Sequence, residues 1–200
     1  IFNSNPIYIN DNKYWINFIP KKFSNKIKFI NFKKNIEEKD NLSPIFVMGL
    51  PRSGTTLVES LISSNKKKID NYGETFIIPN IIKKILENNS DELLLDISLI
   101  KSKVCKEYLK ISYNKEMKST IFVDKTLENI FFIDIIKEIF PLSKIIVCER
   151  DYFDNFVAIF QQCLQGLSWA HKKSSILQYI QNFDNFVKKI KKQKNKNILF

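Results

Sequence analysis

Residues 44–59 read PIFVMGLPRSGTTLVE, from Pro44 to Glu59. Ile45, Phe46, Val47 and Met48 form an unbroken apolar run between Pro44 and Gly49. A run that does not alternate with polar residues is the pattern of a short strand buried on both faces. A tight loop follows from Gly49 to Thr56, and then a helical pattern with Leu57, Leu61 and Ile62 on one face. Strand, glycine-bearing loop and helix bring backbone N–H groups and the positive end of a helix dipole onto one anion. The chain has only 4 glycines, and Gly49 and Gly54 both lie in this loop, where they let the backbone turn and approach a ligand.

Gly49, Gly54 and Thr56 match the spacing of the nucleotide-binding loop G-x-x-x-x-G-K-[ST]. Thr55 occupies the lysine position, and that lysine is what neutralises the outer phosphates in an ATPase or GTPase. The cation of this loop is instead Arg52. The loop is therefore built for an anion, but its charge arrangement does not suit a triphosphate with its metal. A fold junction without a ligand would not require Arg beside Ser, Thr and Thr.

Two hundred residues at 44% hydrophobic content suffice for one domain with a substantial core. No run of about 18 apolar residues is present, so no transmembrane helix is expected. The net charge is +11, which would help capture a polyanion. The lysines are scattered, however (residues 66–68, 83–84, 172–173 and 188–196), and read as polar helix faces in a Lys-, Asn- and Ile-rich composition. Cys105, Cys148 and Cys163 lie far apart with no C-x-x-C. That argues against a disulfide scaffold or zinc site and fits a reducing compartment, so a cytoplasmic location is expected. His171 is the single histidine and reads as an ordinary helix residue. The start at Ile1 and the strand-like end at 197–200 suggest an internal fragment.

The stretch P-R-S-G-T-T-L after a strand resembles the 5′-phosphosulfate loop of sulfotransferases that use 3′-phosphoadenosine-5′-phosphosulfate (PAPS). It is most similar to the bacterial sulfotransferases linked to tetratricopeptide repeats and to tyrosylprotein sulfotransferases. The resemblance covers roughly residues 44–200, leaving 1–43 as an N-terminal extension or the end of an upstream domain. It implies an α/β, P-loop-containing three-layer fold with a central parallel sheet flanked by helices. It also implies sulfuryl transfer from PAPS to an acceptor hydroxyl, with release of adenosine 3′,5′-bisphosphate (PAP) and no metal. Pro51, Arg52, Ser53, Gly54, Thr55 and Thr56 would hold the 5′-phosphosulfate.

Three further elements extend the resemblance. Gly73-Glu74 follows the loop by roughly 20 residues; composition alone makes Glu74 a solvated loop residue, whereas the family's Glu in such a G-E element deprotonates the acceptor. Residues 120–124 read as a strand ending in Asp124, followed by Lys125. The family has a comparable D-K-x-x-x-N, whose Lys approaches the transferring group and its bridging oxygen. Residues 144–148 read as a third strand, running into Arg150. The family's R-D-x-x-D-x-x-x-S grips the 3′-phosphate there; this chain has Arg150, Asp151, Asp154 and then Ala158 in place of Ser. A last strand is expected near 196–200.

Elsewhere, residues 14–20 are apolar and aromatic, with Pro20 expected to stop the element. The basic stretch 21–39, with Phe23, Ile27, Ile30 and Phe32, could bind nucleic acid but suits core packing, and no nucleic-acid partner is expected. Residues 80–118 read as two helices, the second capped by Ser90 and carrying Leu93, Leu94, Ile97 and Ile100 on one face. The main alternative function is a P-loop NTPase or small-molecule kinase with Asp124 on Mg²⁺. A second is an inactive nucleotide-binding scaffold. The acceptor class (peptide, sugar or small molecule) is open at this stage.

Overall fold

A computed structural model of the chain describes residues 11–24, 28–30, 42–64, 69–88, 94–116, 119–162 and 164–200. Ile27, Phe32, Ser90, Leu93, Cys163 and the 66–68 lysine run lie outside them. In chain order a π-helical turn (Tyr14–Phe18) leads into α1 (Ile19–Ser24), then β1 (Lys28–Ile30), β2 (Ser43–Gly49) and α2 (Thr55–Ser63). Next come β3 (Asp70–Gly73), α3 (Ile77–Asn88), β4 (Leu94–Asp96), α4 (Ile97–Asn114) and β5 (Ile121–Asp124). A 3-10 helix (Leu127–Phe132) precedes α5 (Ile133–Ile139) and β6 (Lys144–Cys148). Then follow α6 (Tyr152–Gln162), a 3-10 turn (Ser168–His171), α7 (Lys173–Lys192) and β7 (Ile198–Leu199).

Five strands form one parallel sheet in the order β3-β5-β2-β6-β7. β2 is its centre: Ser43–Phe46 pair with Ile121–Asp124, and Ile45–Gly49 pair with Lys144–Cys148. Phe46, Val47 and Met48 are each 0% exposed, as the unbroken apolar run requires of a strand covered on both faces. Side chains alternate between two cores. Phe46, Met48, Phe122, Ile145 and Val147 join the larger one, while Val47, Val123 and Cys148 pack on the far side against Val58 and Ile62 of α2. The sheet thus lies between α2 and the remaining helices, giving three layers and the α/β architecture expected.

Because the strands are parallel, their carboxyl ends share one edge. β2 ends at Gly49, β3 at Gly73, β5 at Asp124 and β6 at Cys148. The 49–56 loop, Glu74, Lys125 and Arg150 each follow one of these ends, where open α/β sheets place their ligands.

Several local expectations are corrected. Pro20 does not stop the N-terminal helix, which continues through it to Ser24. The widened π turn ahead of it, closed by Ile19 N–H to Tyr14 O, loosens the register around a residue with no N–H to donate. Leu57 and Leu61 are not the buried face of α2: each is 65% exposed, while Thr55 and Glu59 face inward. The loop fixes the phase of this helix before its own side chains can. Leu94 lies in β4, which pairs with β1, and α4 starts only at Ile97, capped by Asp96 Oδ1 accepting from Leu99 N–H at 3.1 Å. β3, polar apart from Tyr72, carries a register shift between Asn71 and Gly73 and is held by β5 and by Tyr72 stacked on Phe122 at 4.2 Å.

Residues 11–24 pack onto the same core as the sheet. Ile16, Ile19 and Phe23 are buried in it, Phe23 meets Phe132 edge-on at 5.0 Å, and Asn182 Nδ2 donates to Ile16 O at 2.7 Å. No helix among the described residues is long and apolar enough to cross a membrane.

Candidate active site

The loop is shaped by close approaches. A Cβ on Gly49 would stand 2.7 Å from both Cys148 O and Ser53 Oγ, so any side chain there would push β2 from β6 or break the turn. Ser53 closes that turn, donating from Oγ to Leu50 O at 2.7 Å and from N to the same oxygen at 3.2 Å. Arg52 and Gly54 are both left-handed, at φ 68° and 93°. Gly adopts this freely; for Arg it costs on the order of 1 kcal/mol. Gly54 precedes α2 and offers no side-chain cap, so the first-turn N–H groups remain open to an anion.

Two groups brace the loop from the β6–α6 side. Asn155, fully buried, donates from Nδ2 to Pro51 O at 2.7 Å. Arg150 donates from Nη1 to Arg52 O at 3.2 Å, and its Nη2 lies 3.6 Å from Asp154 Oδ2. Arg150 therefore stands beside the loop, half exposed, outside the lining of the adjoining cleft. Ala158 is half-buried on α6.

That cleft has a volume of about 340 Å³. Pro51, Arg52, Thr55 and Thr56 form its loop end. Glu74 and Lys125 also line it, with Phe76, Leu127, Glu128 and residues 164–167. Ser53 and Gly54 shape the loop without lining the cleft. Lys125 Nζ donates to Glu74 Oε1 at 2.5 Å and lies 4.0 Å from Glu59 Oε2. The backbone imposes the first contact: Lys125 N–H donates to Gly73 O at 2.9 Å, setting the two side chains next to each other.

Asp124 secures the Glu74 loop. It is 0% exposed; Oδ2 accepts from Tyr108 Oη and Thr75 Oγ1, both at 2.6 Å, and Oδ1 accepts from Thr126 N–H at 2.8 Å. Thr126 Oγ1 in turn accepts from the N–H groups of Thr75 and Phe76, at 3.0 and 3.1 Å. Burial raises the Asp124 carboxyl while these hydrogen bonds pull it back down. Its oxygens are taken by protein donors and it does not line the cleft, an arrangement unlike that of a metal-holding acid.

Two carboxyls were not singled out by sequence reasoning. Glu59 is 6% exposed, its Oε1 has no hydrogen-bond partner among the described residues, and burial raises it against the pull of Lys125. The signal available was its position four residues after Thr55, on the side of α2 that the loop turns inward. Glu128 is 4% exposed, with Oε2 unpartnered among the described residues, and burial pushes it up to about 7. Asn155 was likewise not singled out. No cluster of three or more metal-ligating side chains occurs among the described residues.

An uncharacterized protein of Aquifex aeolicus (strain VF5) is 33% identical over 130 residues, covering 60% of this chain and 17% of that protein. The chain thus spans less than a fifth of that relative's length. The solved structure of sulfotransferase STF9 from Mycobacterium avium aligns over 99% of this chain and 69% of its own, at 11% identity and TM-score 0.47. The family model described as "Sulfotransferase family" matches residues 44–199, from the second residue of β2 to the end of β7. By that match the chain belongs to the sulfotransferase family.

Proposed function

We propose that this domain transfers a sulfuryl group from PAPS to an acceptor hydroxyl. The observation that carries the reading is the Glu74–Lys125 pair, 2.5 Å apart in the cleft that Arg52 and Thr55 also line. The donor supplies the sulfuryl group and leaves as PAP. Loop N–H groups, Arg52, Ser53, Thr55 and Thr56 hold its 5′ end, and Arg150, beside the loop, holds the 3′-phosphate. Glu74 accepts the proton of the acceptor hydroxyl as the new O–S bond forms. The old S–O bond breaks with its electron pair going to the phosphate oxygen, and Lys125 and Arg52 neutralise that charge. Protein cations and N–H groups supply the neutralisation that a metal supplies in phosphoryl transfer.

The test is incubation of the protein with sulfur-labelled PAPS and a panel of hydroxyl acceptors in EDTA. Labelled product from the wild-type protein, absent with Arg52→Ala, is expected. Phosphoryl transfer from ATP that requires Mg²⁺, with no sulfuryl transfer, would overturn the reading.

A further inference from the structure

The cleft contains one more carboxyl than the transfer chemistry uses. Glu74 is paired with Lys125, and Arg52 belongs to the anion loop. Glu128, three residues past Lys125 in the first turn of the 3-10 helix, lines the same cleft, and its buried Oε2 has no partner among the described residues. A carboxyl this deeply buried loses its hydration and normally recovers it through a hydrogen bond or a counter-charge. The charges that raise its proton affinity beyond burial are Glu74, Asp11 and Asp124, all negative. The cleft lining also includes the apolar Phe76, Leu127, Leu164 and Leu167. Besides the cations Arg52 and Lys125, the cleft is therefore lined by apolar side chains and by a buried carboxyl with an unmet hydrogen-bond acceptor, although the protein as a whole is basic at +11.

We propose that Glu128 selects the acceptor, receiving a hydrogen bond from a second polar group on it while Glu74 takes the proton of the reacting hydroxyl. The proposal rests on the sulfuryl-transfer reading. The fitting acceptor has an apolar body with the reacting hydroxyl at one end and an ammonium at the other. A carboxylate at that second position meets the Glu128 carboxyl and is rejected. Burial holds the Glu128 carboxyl at about 7, so an incoming ammonium both finds a partner and favours its ionised form.

Three phenols with the same reacting group make the test: tyramine, 4-ethylphenol and 4-hydroxyphenylacetate. Each is titrated calorimetrically into the protein saturated with PAP and assayed as acceptor with PAPS, for the wild type and Glu128→Gln. Wild type is expected to bind tyramine about tenfold or more tighter than 4-ethylphenol and to bind 4-hydroxyphenylacetate weakest. In Glu128→Gln the tyramine preference falls towards unity, through KM and not kcat. An unchanged preference in Glu128→Gln, or no preference for tyramine in the wild type, overturns the assignment. The PAP titration separates the two levels: absence of PAP binding sinks the sulfuryl-transfer reading, whereas PAP binding without amine preference sinks the role of Glu128 alone.

Discussion

The Lys125 ammonium donates to Glu74 Oε1 at 2.5 Å, so the proposed base and the proposed charge stabiliser hold each other. Neither can be changed without altering the other. Glu74→Gln and Lys125→Ala should each lower turnover by about 10²–10⁴-fold, and the double substitution should cost much less than the product of the two. PAP affinity of Glu74→Gln should stay close to wild type in a calorimetric titration. A matching loss of donor affinity would argue against Glu74 as the base.

The loop makes a separate demand. Alanine at Gly49 places a methyl 2.7 Å from Cys148 O, a backbone atom that cannot step aside alone. Gly49→Ala should cost roughly 1–3 kcal/mol of stability and abolish measurable PAP binding. Asn155→Ala removes the buried bond to Pro51 O at 2.7 Å and should cost about 1–3 kcal/mol. Paired melting and PAP titration check both, and a Gly49→Ala protein with wild-type affinity would contradict the loop geometry described.

Tyr108 acts at a distance. Its hydroxyl donates to Asp124 Oδ2 at 2.6 Å, and Asp124 secures the loop that carries Glu74. Tyr108→Phe should destabilise by about 1–3 kcal/mol and lower kcat, with PAP affinity unchanged. Loss of stability with no change in kcat would mean that Asp124 does not position Glu74.

Glu128 gives the fold a pH dependence of known sign. Burial, reinforced by Glu74, Asp11 and Asp124, lifts its carboxyl from 4.5 to about 7. The folded protein therefore holds this proton more tightly than the unfolded chain. Its contribution is fully present below pH 4.5, declines as pH rises and is lost above about 7. Glu128→Gln should stabilise the fold at pH 8 relative to wild type, by on the order of 3 kcal/mol or less, read as a higher melting temperature. That advantage should fade towards pH 4.5. Equal differences at pH 5 and pH 8 in thermal melts would show that Glu128 does not titrate in this window.

How much of this was legible in the sequence follows from what fixes each part. The apolar run 45–48 stands out because a strand covered on both faces cannot alternate, and Gly49 and Gly54 stand out because the turn admits little else. β5 and β6 are visible for the same reason. β3 is not, since Asn71 and Gly73 have no strand character and the segment is held by pairing with β5. Leu57 and Leu61 misled because periodicity finds an apolar face but not the phase that a preceding loop imposes. Glu74 and Lys125 were identified through the family resemblance; their contact depends on parallel pairing between segments 51 residues apart. Glu59 and Glu128 escaped because polarity patterns assign carboxylates to solvent, and nothing local marks a carboxyl that tertiary packing buries.

The most direct test of the central claim is calorimetric titration with PAP and, separately, ATP, each with Mg²⁺ and with EDTA. The sulfotransferase account requires micromolar binding of PAP that is indifferent to metal and is weakened by Arg52→Ala and by Arg150→Ala. ATP binding that exceeds that of PAP and disappears in EDTA would contradict it.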